Sequence, residues 1–166
     1  MDGLLSGKFR GSGQTCVSPN RLYVQSGIHD EFVAEFAKQA TEKVKAGPQQ
    51  DEKTLLGCLI SPKAVEKIEH LVADAKSKGA TAVLGGERSK DSPSNFYPAT
   101  ILTGMTEEMD ATGTEMFGPV ASIYRFETEE DVIKQANAAE VGLAAYVFTE
   151  SLPVAWRLAE ALEGML

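Results

Sequence analysis

Apolar residues along this chain switch repeatedly between helical spacing and short β-branched runs, and that alternation restricts the fold more than any other feature. Val65, Ile68, Val72 and Ala75 recur on one helical face after Ser61-Pro62, an N-cap followed by proline at the first helical position, and the pattern ends at Gly79. Thr81 to Leu84 then reads as a strand closed by Gly85-Gly86. Upstream, Asn20 to Gln25 is a β-branched and aromatic run, and Ile28, Phe32, Val33, Phe36, Ala40 and Val44 form a helical stripe that Gly47-Pro48 stops. Downstream, a polar loop over Lys90 to Asn95 leads into a strand-like stretch from Phe96 to Leu102, and Val120 to Phe126 is a further strand. Thr128 followed by Glu129-Glu130-Asp131 predicts a helix start with acidic groups at the positive end of the dipole, its buried stripe being Val132, Ile133, Ala136 and Ala139. Leu143 to Thr149 reads as a strand and Leu152 to Glu163 as a last helix. This order predicts a layered α/β domain, an open sheet at least partly parallel and flanked by helices.

The chain's 166 residues, 43% of them hydrophobic, suffice for one domain with a real core. A net charge of −8 argues against nucleic acid or an anionic membrane as partner, because phosphate binding needs a Lys/Arg cluster and none occurs. The longest apolar stretch, Val141 to Phe148, is far too short to cross a bilayer, and the N-terminus lacks a signal pattern. Two cysteines without a CxxC pair or a histidine cluster predict no structural metal and a reducing compartment, cytoplasm or mitochondrial matrix. Both ends read as cut: Met1 to Arg10 has helical composition without a cap, and Gly164 ends a helix just before apolar Met165 and Leu166. The expected unit is therefore a single domain over 1–166, truncated at both ends.

Cys16 is the first candidate for chemistry. On its own, a free cysteine is commonly a small buried apolar residue. Here Gly13 permits an unusual turn, Gln14 and Thr15 are polar, and a strand begins within a few residues, which places the thiol near a strand mouth. A thiolate there attacks carbonyl carbon, with its own backbone N–H helping to hold the oxyanion. His29, at a helix start, and His70, on the polar side of the helix from Pro62, read as solvated residues, so a Cys–His hydrolase is the weakest alternative. A stand-alone binding domain without oxidation chemistry is the other.

"FRGSGQTCVSPNRLYV" resembles the nucleophile block of the aldehyde dehydrogenase superfamily through Phe9, Gly13, Gln14, Cys16 and Arg21. "EMFGPV" from Glu115 to Val120 is similar to the family's Glu-x-Phe-Gly-Pro stretch, and "GLAAYVF" from Gly142 to the strand after it. The flanking text looks closest to the succinate-semialdehyde dehydrogenase branch. The resemblance implies that Cys16 forms a thiohemiacetal with an aldehyde, passes hydride to NAD or NADP, and leaves a thioester for water to hydrolyse. It implies further that Glu115 binds the nicotinamide ribose hydroxyls, that Phe117 lies beside the nicotinamide, and that Arg10 meets the substrate's far carboxylate. Without it, Glu115 is a surface acid, Phe117 a core aromatic, and Arg10 a basic residue at a helix C-terminus.

Ser18 stands where some members carry a second cysteine, Gly11 where Asn is frequent, and Cys58 where "GPLI" has proline. The family's Gly-rich dinucleotide crossover, its Glu-Leu-Gly-Gly general-base block and its oxyanion asparagine lie N-terminal to the nucleophile. The resemblance thus implies a catalytic domain whose partners are a small aldehyde and a missing cofactor domain of the same chain, full-length relatives being homodimers or homotetramers. Alone, it is expected to be inactive.

Overall fold

The computed structural model describes residues 1–48, 50–88, 90–139 and 142–163. Helix α1 (Asp2–Phe9) runs into a 3-10 turn over Arg10–Gly13, and strand β1 (Arg21–Gln25) and helix α2 (His29–Lys43) follow. Helix α3 (Pro62–Ser77), strands β2 (Thr81–Leu84) and β3 (Thr100–Thr103), the single turn α4 (Asp110–Gly113), strand β4 (Val120–Phe126) and helices α5 (Glu129–Asn137) and α6 (Leu152–Ala161) complete the order.

The sheet order is β1-β4-β3-β2, with β1/β4 and β4/β3 parallel and β3/β2 antiparallel. Strand β4 is therefore central and buried on both faces, as parallel strands require. Its side chains alternate: Val120 and Tyr124 join a core with Val65, Ile68, Leu71, Val72 and Ala75 of α3, while Ala121 and Ile123 join Leu4, Leu5, Phe9, Phe36 and Ala40 of α1 and α2. The expected helix starts are present. Ser61 Oγ accepts from Ala64 N–H at 3.3 Å, and Thr128 and Asp131 form a reciprocal capping box at 3.2 Å each way.

Four expectations need correction. Leu143 to Thr149 forms no strand: Leu143, Tyr146, Val147 and Phe148 are exposed, and no neighbouring strand among the described residues offers them a ladder. The strand expected from Phe96 begins only at Thr100, because Pro98 has no N–H to donate and Phe96 closes a turn onto the Pro93 carbonyl. The α5 stripe is only half-buried. His29 is buried, not solvated: its ring lies against Thr103 Oγ1 at 3.2 Å and contacts Asp30 and Arg125 at 2.8 and 3.0 Å. These partners leave it no part in a dyad with Cys16. His70 is exposed, as expected. Val141 and the terminating role read into Gly164, Met165 and Leu166 lie outside the described residues.

Candidate functional site

Helix α1 ends at Phe9, a fully buried ring stacked on Phe36, and the chain then reverses through Gly11, Ser12 and Gly13, all three with positive φ. Ser12 makes this turn rigid. Its hydroxyl donates to the Gly57 carbonyl at 2.9 Å and accepts from the Gly57 N–H at 3.0 Å, a buried exchange with the loop that precedes α3. Gln14 ties to the same loop by accepting from Ile60 N–H at 2.9 Å. Cys16 sits beyond, exposed, in the loop that enters β1.

The two sequence blocks meet here. A Cβ on Gly13 would overlap the Gly118 carbonyl, so glycine is required both by its φ of +70° and by the close backbone approach. Asn20, just before β1, reaches the same turn: its Oδ1 accepts from Met116 N–H at 2.9 Å and its Nδ2 donates to the Thr114 carbonyl at 3.4 Å. From α3, Lys67 Nζ donates to the Glu115 carbonyl at 2.6 Å. Phe117 has a φ of +49°, rare outside glycine, and its ring is exposed.

Two open clefts border this turn. One, of about 660 Å³, is lined by Gln14, Cys58, Ile60, Asn95 and Phe117 among others. The other, of about 290 Å³, lies between Ala64, Lys67, Glu115, Met116 and Phe117. Glu115 and Phe117 thus share a concave surface, and Phe117 also faces the residue two before Cys16. Neither Cys16 nor Arg10 lines these clefts. Arg10 is exposed on the 3-10 turn, and its side chain has no hydrogen bond or ion pair among the described residues, so it does not cap the α1 carbonyls. The exposed Glu115 and Phe117 together offer a hydrogen-bond acceptor and a flat apolar contact on one concave surface.

Lys8, Asn20 and Lys67 carry parts of this arrangement that the sequence reading passed over. Lys8 is buried, and its ammonium donates to the Pro19 carbonyl at 2.9 Å, bracing the cysteine loop against α1. Burial pulls its pKa down to about 7, opposed by the Glu115 charge. Lys8 lies in the last turn of α1 and Asn20 just before β1, and no local pattern in the sequence marks their partners.

The sequence model of the Aldehyde dehydrogenase family matches residues 1–165. The chain is 48% identical over 165 residues to the mitochondrial succinate-semialdehyde dehydrogenase of Hylobates lar and 47% identical to that of Homo sapiens, covering 99% of this chain and 31% of each relative. Among solved structures, succinate-semialdehyde dehydrogenase from Burkholderia pseudomallei superposes with a TM-score of 0.94 at 39% identity, over 98% of this chain and 33% of that one. An NADP dependent enzyme of E. coli gives a TM-score of 0.92 at 45% identity, over 98% and 34%. The chain therefore spans about a third of the length of the relatives it matches.

Proposed function

The chain belongs to the aldehyde dehydrogenase family, and from that premise we propose that it is the nucleophile-bearing catalytic portion of an NAD(P)-dependent enzyme oxidising succinate semialdehyde to succinate. Cys16 is the nucleophile. Its thiolate adds to the aldehyde carbon, forming a C–S bond and a thiohemiacetal oxyanion. A bound nicotinamide cofactor would supply the acceptor for the hydride that leaves that carbon. The Cys16 thioester that remains is cleaved by water, which releases the acid and returns the thiol.

Glu115 would hold the ribose hydroxyls of the cofactor and Phe117 would flank its ring. Arg10 takes the substrate's distal carboxylate, since a guanidinium offers it two parallel N–H donors. The observation that supports this reading best is the meeting of the two blocks at Gly13 and Gly118, which brings the cysteine loop beside the Glu115–Phe117 turn. Arg10, exposed and without a partner among the described residues, leaves its charge available for an anionic substrate.

In the complete enzyme carrying this segment, Cys16→Ser abolishes reduced-nicotinamide formation with either NAD or NADP. Arg10→Ala raises KM for succinate semialdehyde by about ten-fold or more, the worth of one charge-assisted pair, and leaves KM for butanal near its original value. Equal effects on both aldehydes would remove Arg10 from the substrate site. This segment alone, tested with both cofactors, gives no steady turnover, because the general base and dinucleotide fold are placed elsewhere in the family's chain. The complete protein is expected to be a homodimer or homotetramer in the cytoplasm or mitochondrial matrix, and its mitochondrial relatives support the second compartment.

A further inference from the structure

We propose that Asn20 is a positioning residue that sets the cofactor turn Thr114–Phe117 against the nucleophile-bearing segment. The proposal rests on the reading of Glu115 and Cys16 given above. The turn lies outside the strands, so its backbone groups have no ladder to hold them, and the N–H of Met116, the buried residue of the turn, needs a partner. The Asn20 carboxamide supplies both kinds at once. It accepts from Met116 N–H at 2.9 Å and donates to the Thr114 carbonyl at 3.4 Å, and these groups flank a single residue, Glu115.

Lys67 holds the Glu115 carbonyl between them at 2.6 Å. Three successive backbone positions are thus fixed, while the Glu115 side chain makes no hydrogen bond among the described residues. Fixing the peptide planes on either side of Glu115 sets the direction of its Cα–Cβ bond, and it also supports the positive φ of Phe117 next along. Asn20 is four residues from Cys16 on the same loop, and Lys8 braces the intervening Pro19. The carboxamide therefore ties the turn that would meet the cofactor to the segment that carries the nucleophile, and the benefit is preorganisation rather than contact.

The test uses the complete enzyme carrying this segment, with Asn20→Ala, Asn20→Asp and, as reference, Glu115→Ala. Binding of NADH and NADPH is read by cofactor fluorescence, alongside KM for the aldehyde, alkylation of Cys16 by iodoacetamide, and the melting temperature without cofactor. Asn20→Ala weakens cofactor binding by about ten-fold, as expected for losing the paired bonds, with aldehyde KM, cofactor-free alkylation and melting temperature nearly unchanged. In Asn20→Asp one oxygen still receives Met116 N–H while the other opposes the Thr114 carbonyl, so the loss is intermediate. That partial rescue also decides the matter should Asn20→Ala fail to fold.

Unchanged cofactor binding in the Asn20 variants, with Glu115→Ala weakened, overturns the coupling and leaves the Glu115 reading intact. No effect of Glu115→Ala overturns that reading and the coupling with it. Losses that fall equally on cofactor binding, alkylation and melting temperature make Asn20 a purely structural residue and also overturn the proposal.

Discussion

A buried lysine gives this domain a pH dependence whose sign follows from its protons. Lys8 titrates at about 7 in the fold because its ammonium is out of water, while an unfolded lysine titrates near 10.4. Between these values the unfolded chain holds a proton that the folded chain has released, so stability rises with pH across the window, and the penalty is complete below about 7. From pH 7 to 9 the urea midpoint should increase by an amount corresponding to on the order of 2 kcal/mol. Lys8→Met, which keeps the stem and removes the charge, should flatten that rise; an unchanged slope would place the titrating group elsewhere. On the other face of the same problem is Ser122, whose hydroxyl is buried in the middle of β4 with no hydrogen-bond partner among the described residues. Ser122→Ala removes an unsatisfied donor at almost constant shape and should stabilise the fold by about 1 kcal/mol in chemical denaturation. A loss of stability would show that the hydroxyl has a partner.

At the scale of elements, β1 is tied to α5 by the residue next to Asn20. Arg21 donates to the Gln135 and Ala136 carbonyls at 3.1 and 3.0 Å, and Tyr23 Oη donates to Gln135 at 3.2 Å. A guanidinium at a helix C-terminus satisfies orphan carbonyls and opposes the dipole's negative end. Arg21→Met should cost about 1–3 kcal/mol, seen as a lower urea midpoint, and Arg21→Lys should recover only part of it. A cost within experimental error would reduce Arg21 to a surface charge. The elements themselves differ in how far sequence reveals them. Helices α3 and α5 announce their starts because Ser61 and Thr128 cap them locally, and Val120–Phe126 is legible because a central strand must be apolar on both faces. Leu143 to Thr149 has the same composition as a strand, yet a strand exists only through a neighbour, and no local pattern encodes one. The candidate site divides in the same way: Cys16, Glu115 and Phe117 stand in recognisable blocks, whereas Asn20 and Lys67 enter it through contacts with backbone about fifty or more residues away.

At the scale of the whole molecule, the two cores on either side of the sheet contain no residue from 142–163. That segment has no fully buried residue and is attached by half-buried apolar side chains and by polar contacts: Asn137 donates to the Ala161 carbonyl at 2.8 Å and accepts from Glu163 N–H at 3.0 Å, Arg157 pairs with Glu129 through two bonds of 2.6 and 2.7 Å, and Tyr146 donates to the Val17 carbonyl. Exposed ion pairs contribute little to stability, so these contacts hold α6 far less firmly than apolar burial holds α3. Native-state hydrogen exchange should therefore show α6 amides opening well below the global unfolding free energy, while α3 amides open only with the whole domain. The same segment leaves Phe148, Leu152 and Trp156 each about two-thirds or more exposed. Apolar surface of that kind drives association unless another surface covers it. Sedimentation of this chain should show concentration-dependent self-association, and the combined change of Phe148, Leu152 and Trp156 to Ser should suppress it without speeding exchange at α3. Exchange of α6 in step with α3 would mean instead that the segment is an integral part of the fold, held by more than its polar contacts supply.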